Sequence, residues 1–470
     1  MKFAFCKSLS KREPADGFIV PFWDGPVQGA NCEALKLCLN DFHGQQGETT
    51  LCYNGDERII LLGLGKKEKA SVEGLRKAYA SAIKVAHKTK CKSLNLLFPE
   101  CKQADEFFRG IVEGVLLTNY QFSYKLEKSG PLCEKLTFVG VEKTAMIDYY
   151  AILSKGVCFV RDLVNQNADQ KAKILTDAAK NLHSKIKTTI FDKKKIESEK
   201  MGLLLAVGRG SSHDPFLIQS AYKGDPHSKE HIVLVGKGVT YDTGGYSLKP
   251  TDGMVGMKCD MGGAALALGV VKTAAELGLK VNVTAVVPVA ENCMGPDSYK
   301  LGDVYTSYLG KTVEINNTDA EGRLILADAL SYAAANLNPS CMIDFATLTG
   351  ACVVALGEDV AGLFTDDESL SVDLLAASDS TDELLCQLPL HEAYLESHKS
   401  DIADLVNSGG REAGAIKAAL FLKEFVGEVP WAHIDIAGPA YVSKPKNYNP
   451  TKATGYGLRL MIDFLESRSS

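Results

Sequence analysis

Two glycine-rich segments hold most of the side chains that could do chemistry. The first runs Gly236-Lys237-Gly238-Val239-Thr240-Tyr241-Asp242-Thr243-Gly244-Gly245-Tyr246-Ser247-Leu248-Lys249-Pro250, and Cys259-Asp260-Met261-Gly262-Gly263-Ala264 follows it. The second is Asn317-Thr318-Asp319-Ala320-Glu321-Gly322-Arg323-Leu324. Each piece has an ordinary reading. Gly236-Lys237-Gly238 after a strand could be a phosphate loop, but His231 stands where that loop's first glycine belongs and Gly238 where its Ser or Thr belongs. Asp260 could cap a helix, and Thr318 with Glu321 has the spacing of a capping box.

Taken together, the four carboxylates Asp242, Asp260, Asp319 and Glu321 sit in glycine-rich contexts at strand ends and helix starts. Ligands of open α/β sheets bind at such places, and Gly244, Gly245, Gly262 and Gly263 let backbone approach a bound group closely. Two divalent cations would neutralise four carboxylates, and an oxygen-rich ligand set suits Mn, Mg or Zn. Paired ions ~3.5–4 Å apart activate a water and clamp a tetrahedral intermediate.

The surrounding pattern alternates strands and helices. In residues 1–150, Arg58 to Gly63 and Leu94 to Phe98 read as strands, and Val72 to His87 and Phe107 to Leu117 as helices. Ala145 to Leu163 reads as a connecting helix. A second α/β pattern begins near Thr188, with strands at His231 to Gly236, at Lys280 to Val287 stopped by Pro288, at Met342 to Phe345 and at Trp431 to Ile436. Its helices are Ala264 to Leu277, Ala320 to Asn336 and Ala413 to Val426. The expected fold is α/β: a smaller N-terminal α/β domain, residues 1–150, and a larger C-terminal α/β catalytic domain, residues 151–470. Its central mixed sheet is flanked by helices, and residues 151–168 are mainly a connecting helix.

Composition excludes several classes. The 470 residues carry a net charge of -6, with 46% hydrophobic and 23% charged residues, so no nucleic-acid partner is expected. No apolar run reaches the ~18 residues of a membrane span, and the N-terminal apolar stretch is too short for a signal-peptide core. Thirteen cysteines, an odd number with no Cys-x-x-Cys pair, do not form a disulfide framework. The expected compartment is a reducing cytoplasm.

Residues 317–324 resemble the signature of the leucyl aminopeptidase (cytosol aminopeptidase) family, and residues 236–264 resemble its metal-binding stretch. Further matches are Val207 to Ser211, Ala346 to Ala351, Lys399-Ser400 with Ala403-Asp404, and Trp431 to Gly438. The resemblance covers most of residues 155–465 and is weak over 1–150. It implies a metalloaminopeptidase releasing leucine and other large apolar residues from peptide N-termini. Lys237, Asp242, Asp260, Asp319 and Glu321 would ligate two divalent ions, Mn2+ or Zn2+, with Asp242 and Glu321 bridging. Lys237 would need a strongly lowered pKa to donate a lone pair. Lys249 would polarise the scissile carbonyl, and Arg323 would hold a bicarbonate ion acting as general base. Met257, Thr347, Gly350, Ala437 and Ala440 would line the side-chain pocket. The resemblance also implies a homohexamer with catalytic domains inside and N-terminal domains outside.

Two stretches depart from the family. Gln166 to Gln170 replaces a proline-containing segment, and Glu291 to Lys300 is atypical; neither is expected to touch a metal ligand. The competing readings are a non-enzymatic relative that keeps the fold as a scaffold, and a different metal hydrolase such as a phosphoesterase. Loss of a ligand or of Lys249 would favour the first, and His-rich ligand spacing the second; the sequence shows neither.

Overall fold

Runs of Val, Ile and Leu closed by glycine become buried strands, and the alternating helical stretches cover them. The computed structural model describes residues 1–25, 41–99, 104–126, 132–450 and 452–469. The chain forms two compact units, Met1–Cys158 with Ser443–Thr451, and Phe159–Val442 with Lys452–Ser470.

The first unit holds β1 (Lys2–Cys6), β2 (Gly17–Phe22), β3 (Thr49–Asn54), β4 (Glu57–Gly63), β5 (Ser93–Leu97) and β6 (Lys135–Val139), in the order β1-β6-β5-β2-β4-β3. All neighbours are parallel except β3 and β4. Helices Val72–Lys88 and Ala104–Thr118 bury Leu75, Tyr79, Phe108 and Ile111 in one cluster with Ile60, Leu62 and Leu96. Helix Thr144–Asn165 then runs from one unit into the other.

The second unit is built on a larger mixed sheet. Its strands are β7 (Ile186–Phe191), β8 (Phe216–Lys223), β9 (Ile232–Gly236), β10 (Gly238–Asp242) and β11 (Asn282–Asn292). Beyond the short β12 (Val304–Thr306) and β13 (Thr312–Glu314) come β14 (Cys341–Ala346), β15 (Ala361–Phe364) and β16 (Leu385–Gln387). After β17 (Leu405–Val406) the sheet is completed by β18 (Trp431–Asp435), and β19 (Tyr441–Val442) with β20 (Lys452–Ala453) forms a separate ribbon. The sheet order is β16-β15-β18-β14-β9-β11-β8-β7, with β10 also paired to β11. The five strands β18, β14, β9, β11 and β10 are mutually parallel, so their carboxyl ends share one edge. Helix Glu321–Asn336 buries Leu324, Leu326 and Leu330 in one core with Val233, Val235 and Val286, and helix Gly262–Leu277 packs on β9, β11 and β14. Thr251–Leu277 has the length and hydropathy of a membrane span, and 72% of its most apolar window is buried in the protein.

One expected boundary is wrong. Pro288 does not stop β11, which continues to Asn292. On one side of β11 the pairing changes there, from β9 up to Val286 to β10 from Val289. A residue without an N–H is tolerated where ladder bonds are already interrupted.

At the strand edge, backbones meet closely. The Lys237 N–H donates to the Phe345 carbonyl (2.9 Å) and the Lys237 carbonyl accepts from the Ala264 N–H (2.9 Å). This contact requires a glycine, because a Cβ on Gly263 would lie 1.9 Å from the Phe345 oxygen. Gly263→Ala should therefore cost about 1–3 kcal/mol through overpacking. Gly253→Ala, whose Cβ would meet Pro250 at an ordinary 3.6 Å, should stay within about 0.5 kcal/mol. Urea unfolding compares the two, and equal midpoints would refute the close packing.

Candidate metal centre and active site

The chemistry-bearing side chains hang from that common strand edge. Lys237 lies between β9 and β10, Asp242 ends β10, and Asp319 and Glu321 open helix Glu321–Asn336. Asp260 follows the turn Met257–Cys259 and precedes helix Gly262–Leu277. Neither capping role is realised. The cap of helix Gly262–Leu277 is Met261, without a side-chain bond, and that of Glu321–Asn336 is Ala320, also without one. The Thr318 hydroxyl instead donates to the Gly244 carbonyl (2.6 Å) and accepts from the Ser247 N–H (2.7 Å), tying the two glycine-rich segments together.

The six charged groups converge. Lys237 Nζ lies 2.8 Å from Asp260 Oδ1 and 2.9 Å from Glu321 Oε1, and donates to the Thr347 carbonyl at 2.8 Å. Lys249 Nζ lies 2.8 Å from Asp242 Oδ2 and 2.5 Å from Asp319 Oδ1. Carboxylate oxygens of Asp242, Asp319 and Glu321 come within 4.8 Å of one another. A Cβ on Gly322 would fall 2.5 Å from Lys237 Cε, so the glycine makes room for the lysine.

Burial and crowding set the electrostatics. Burial drives Glu321 up, and repulsion from Asp242 adds to it. Burial also raises Asp260 against the pull of Lys237. For Lys237 itself, burial pushes down but is outweighed by Asp260, Glu321 and Asp242, so its pKa rises. That is opposite to the lowered value expected for a ligand: among protein groups alone, the ammonium is the counter-ion of Asp260 and Glu321. The donor set nevertheless fits divalent cations. Asp260 Oδ2 and Glu321 Oε2 are buried with no hydrogen-bond partner, an arrangement that leaves lone pairs uncompensated and that hard cations with oxygen preference satisfy.

Lys249 is also raised, because burial is outweighed by Asp242 and Glu321; it stays an ammonium. Arg323 makes no ion pair with these carboxylates, although Glu321 acts on its charge. Its Nη1 donates to the Asn407 carbonyl (2.9 Å), its Nε is buried without a partner, and burial lowers it to about 10. Among the expected pocket residues, Thr347 and Ala440 come together beside Asp260. A methyl group at Gly262 would lie 3.6 Å from Thr347 Cγ2, 3.8 Å from Ala440 Cβ and 3.9 Å from Ile436 Cδ1. Met257 is half-buried in the turn before Asp260, Ala437 is half-buried just past β18, and Gly350 is exposed with open space around it.

Several residues escape the motif reading. Asn292 donates to Asp242 Oδ1 (2.8 Å) and to the Thr318 carbonyl (3.0 Å). The atypical segment 291–300 therefore does touch an expected ligand, because β11 runs on past Pro288 to the site. Thr347 donates to Asp260 Oδ1 at 2.7 Å, so a residue assigned to the pocket also orients a carboxylate. Asn407 Oδ1 accepts from the Asn316 N–H (3.0 Å), and its Nδ2 donates to the Asn317 carbonyl (2.6 Å), fixing the loop before Asp319. Nothing in the local sequence around Asn407 marks it. The run Glu291-Asn292 at the end of an apolar strand was the one available signal for Asn292.

Comparison with known proteins gives one consistent result. Residues 158–462 match the model of the cytosol aminopeptidase family catalytic domain, and residues 33–128 match that of its N-terminal domain. A probable cytosol aminopeptidase of Protochlamydia amoebophila is 48% identical, covering 100% of this chain and 99% of that protein. One from Chlamydia trachomatis serovar L2 is 44% identical over 98% and 97%. Among solved structures, the bottromycin maturation enzyme BotP in complex with Mn has a TM-score of 0.88 at 32% identity, covering 97% of this chain and 100% of that one. A tomato leucine aminopeptidase mutant has a TM-score of 0.87 at 31% identity, covering 99% and 96%.

Removing the Asn292 amide should weaken divalent-metal binding about 10–100-fold, as loss of a group that orients a ligating carboxylate does. Manganese titration of metal-stripped Asn292→Ala checks this, and wild-type affinity would show that Asp242 needs no such support.

Proposed function

The chain belongs to the cytosol aminopeptidase family, metal-dependent enzymes that act at peptide N-termini, and from that premise we propose a two-metal leucyl aminopeptidase that prefers leucine and other large apolar residues. The observation that carries the reading is the convergence of Lys237, Asp242, Asp260, Asp319 and Glu321 around buried, uncompensated carboxylate oxygens.

In this reading those five residues would hold two divalent cations, Mn2+ or Zn2+. Bound there, the ions would supply Lewis acidity and an activated water. Manganese in the complex of the related maturation enzyme supports Mn2+ as one occupant. The chain's own groups do the rest. Lys249, kept charged by its carboxylate neighbours, would polarise the scissile carbonyl and favour its developing negative oxygen. Arg323, a planar fork suited to carboxylate-like anions, would seat a bicarbonate serving as proton acceptor. Thr347 and Asn292 hold Asp260 and Asp242 in place.

Met257, Thr347, Gly350, Ala437 and Ala440 would form the side-chain pocket. They are apolar or small and bring no cation, so burying an acidic side chain there is penalised. The assembly we infer is a homohexamer with the N-terminal domains outside, which light scattering tests against one or two chain masses. The cysteine usage supports a reducing cytoplasm as its compartment.

The decisive assay is hydrolysis of leucine-p-nitroanilide by metal-stripped protein, before and after separate addition of Mn, Co, Zn or Mg. Activity should vanish on stripping and return with Mn or Co at least as well as with Zn; full activity in protein shown by elemental analysis to be metal-free would sink the mechanism. Lys249→Ala should keep metal and lose ~10²–10³ in kcat, and near-normal kcat would remove its assigned role. On a panel of substrates, leucyl and methionyl compounds should outrun aspartyl and glutamyl ones, and N-acetyl-leucine compounds should resist. The reverse order would refute the pocket.

A further inference from the structure

Lys171 is fully buried, and its ammonium bonds to backbone carbonyls rather than pairing with a carboxylate of the charged cluster. Its Nζ donates to the carbonyl of Val164 (2.9 Å), in the last turn of helix Thr144–Asn165, and to the carbonyl of Lys258, in the turn Met257–Cys259. Among the described residues no carboxylate lies within ion-pair distance of it. Lys258 answers in the other direction, its Nζ donating to the Asn165 carbonyl at 2.9 Å. Two lysines thus cross between the same helix end and the same turn.

The clasp closes on the far side as well. The Asn165 side-chain oxygen accepts from the Ala453 N–H (3.2 Å) in β20, and Arg161 Nε donates to the Thr454 carbonyl (2.8 Å). Thr454 in turn donates through its N–H to the Ala440 carbonyl (3.1 Å) and through its hydroxyl to the Pro439 carbonyl (2.6 Å). β20 pairs with β19, whose Tyr441 ring would lie 3.4 Å from a Cβ on Gly256, the residue before Met257. One ring of contacts therefore joins the Met257 turn, the Pro439–Tyr441 segment and the helix end, with the Lys171 ammonium as its buried fastening.

We propose that Lys171 is a positioning residue for side-chain selection: by fastening the Met257 turn across from Ala440 it sets the width of the pocket that receives the substrate's N-terminal side chain. This rests on the aminopeptidase reading and on Met257 and Ala440 as pocket walls. The physical argument is one of rigidity. Two N–H donations from one side chain to two carbonyls in a water-free interior tie both segments together, and a pocket discriminates by methylenes only if its walls hold still. The Asp260 N–H donates to the Met257 carbonyl in the turn, but its carboxylate is held independently by Lys237 and Thr347, so loosening the turn alters selection before it alters the metal centre. Burial pushes the Lys171 ammonium down to about 7, a desolvation penalty that an isosteric methionine removes.

The test compares wild type, Lys171→Met, Lys171→Arg and Lys258→Met in their holoenzyme form. Leucyl-, alanyl- and phenylalanyl-p-nitroanilides are the substrates, and manganese affinity is measured separately by titration of stripped protein. Lys171→Met should lower the leucyl-to-alanyl ratio of kcat/KM about tenfold, the value of one or two methylenes in a pocket. The loss should fall mainly on KM for leucyl substrate, with manganese affinity as in wild type. Lys171→Arg should recover part of the ratio, and Lys258→Met should shift it in the same direction, which keeps the test open if Lys171→Met fails to fold. An unchanged ratio in folded variants overturns the proposal. So does a uniform fall in kcat with weakened manganese binding, which would make the clasp a support of the metal centre. Wild type inactive on all three substrates would instead fail the aminopeptidase reading itself.

Discussion

Four carboxylates share one buried patch at the strand edge, and their mutual repulsion is the constraint on which the rest of the architecture depends. Burial disfavours the charges of Asp260 and Glu321, and Asp242 adds repulsion to both. Such a cluster persists only where cations compensate it and the surrounding backbone is fixed. Lys237 and Lys249 supply compensation from the chain itself, yet Asp260 Oδ2 and Glu321 Oε2 stay buried without a hydrogen-bond partner.

Fixing the backbone explains the glycines and the asparagines together. Gly263 lets the helix start, the end of β9 and the end of β14 meet at backbone contact, and Gly322 lets Lys237 pass the start of the second helix. Asn292 and Asn407 then use side-chain amides to bind two loops at once, the first joining Asp242 to the Thr318 carbonyl, the second holding residues 316 and 317. Amides suit this work because they donate and accept without adding charge to a site that already has too much.

These two kinds of support differ in how far the sequence reveals them. Strands β9 and β14, the helix at Glu321 and the charged residues themselves are legible, because apolar runs, glycine stops and carboxylate spacing are local signals. The resemblance carried by residues 236–264 and 317–324 extends that reading to an expected ligand set, whose side chains the fold brings together. Pro288 misleads because its effect depends on which strand lies beside it, a fact settled only when β9 gives way to β10. The capping-box pattern at Thr318 misleads for a related reason. Its hydroxyl finds partners in residues 244 and 247, far away in sequence, and a tertiary bond displaces the local one. Asn407 and Lys171 lie beyond any local signal, since their partners are backbone carbonyls and amides that only the fold brings near.

Lys171 and Lys237, both buried, and Lys249, half-buried, show how partners, rather than burial, decide protonation in this unit. Burial pushes all three down. Lys171, with carbonyls as its partners, ends near about 7. Lys237 and Lys249, facing carboxylates, end above the ordinary lysine value. The difference bears on how Lys237 could serve as a neutral ligand. Its proton is held by Asp260, Glu321 and Asp242, the same groups that would turn to incoming cations. Once those carboxylates are engaged elsewhere, Lys237 keeps its burial and loses the attraction that offsets it, which puts it in the regime of Lys171 with two positive charges alongside. In the proposed two-metal site the proton on Lys237 would have to leave as the cations enter, which would couple metal uptake to its deprotonation.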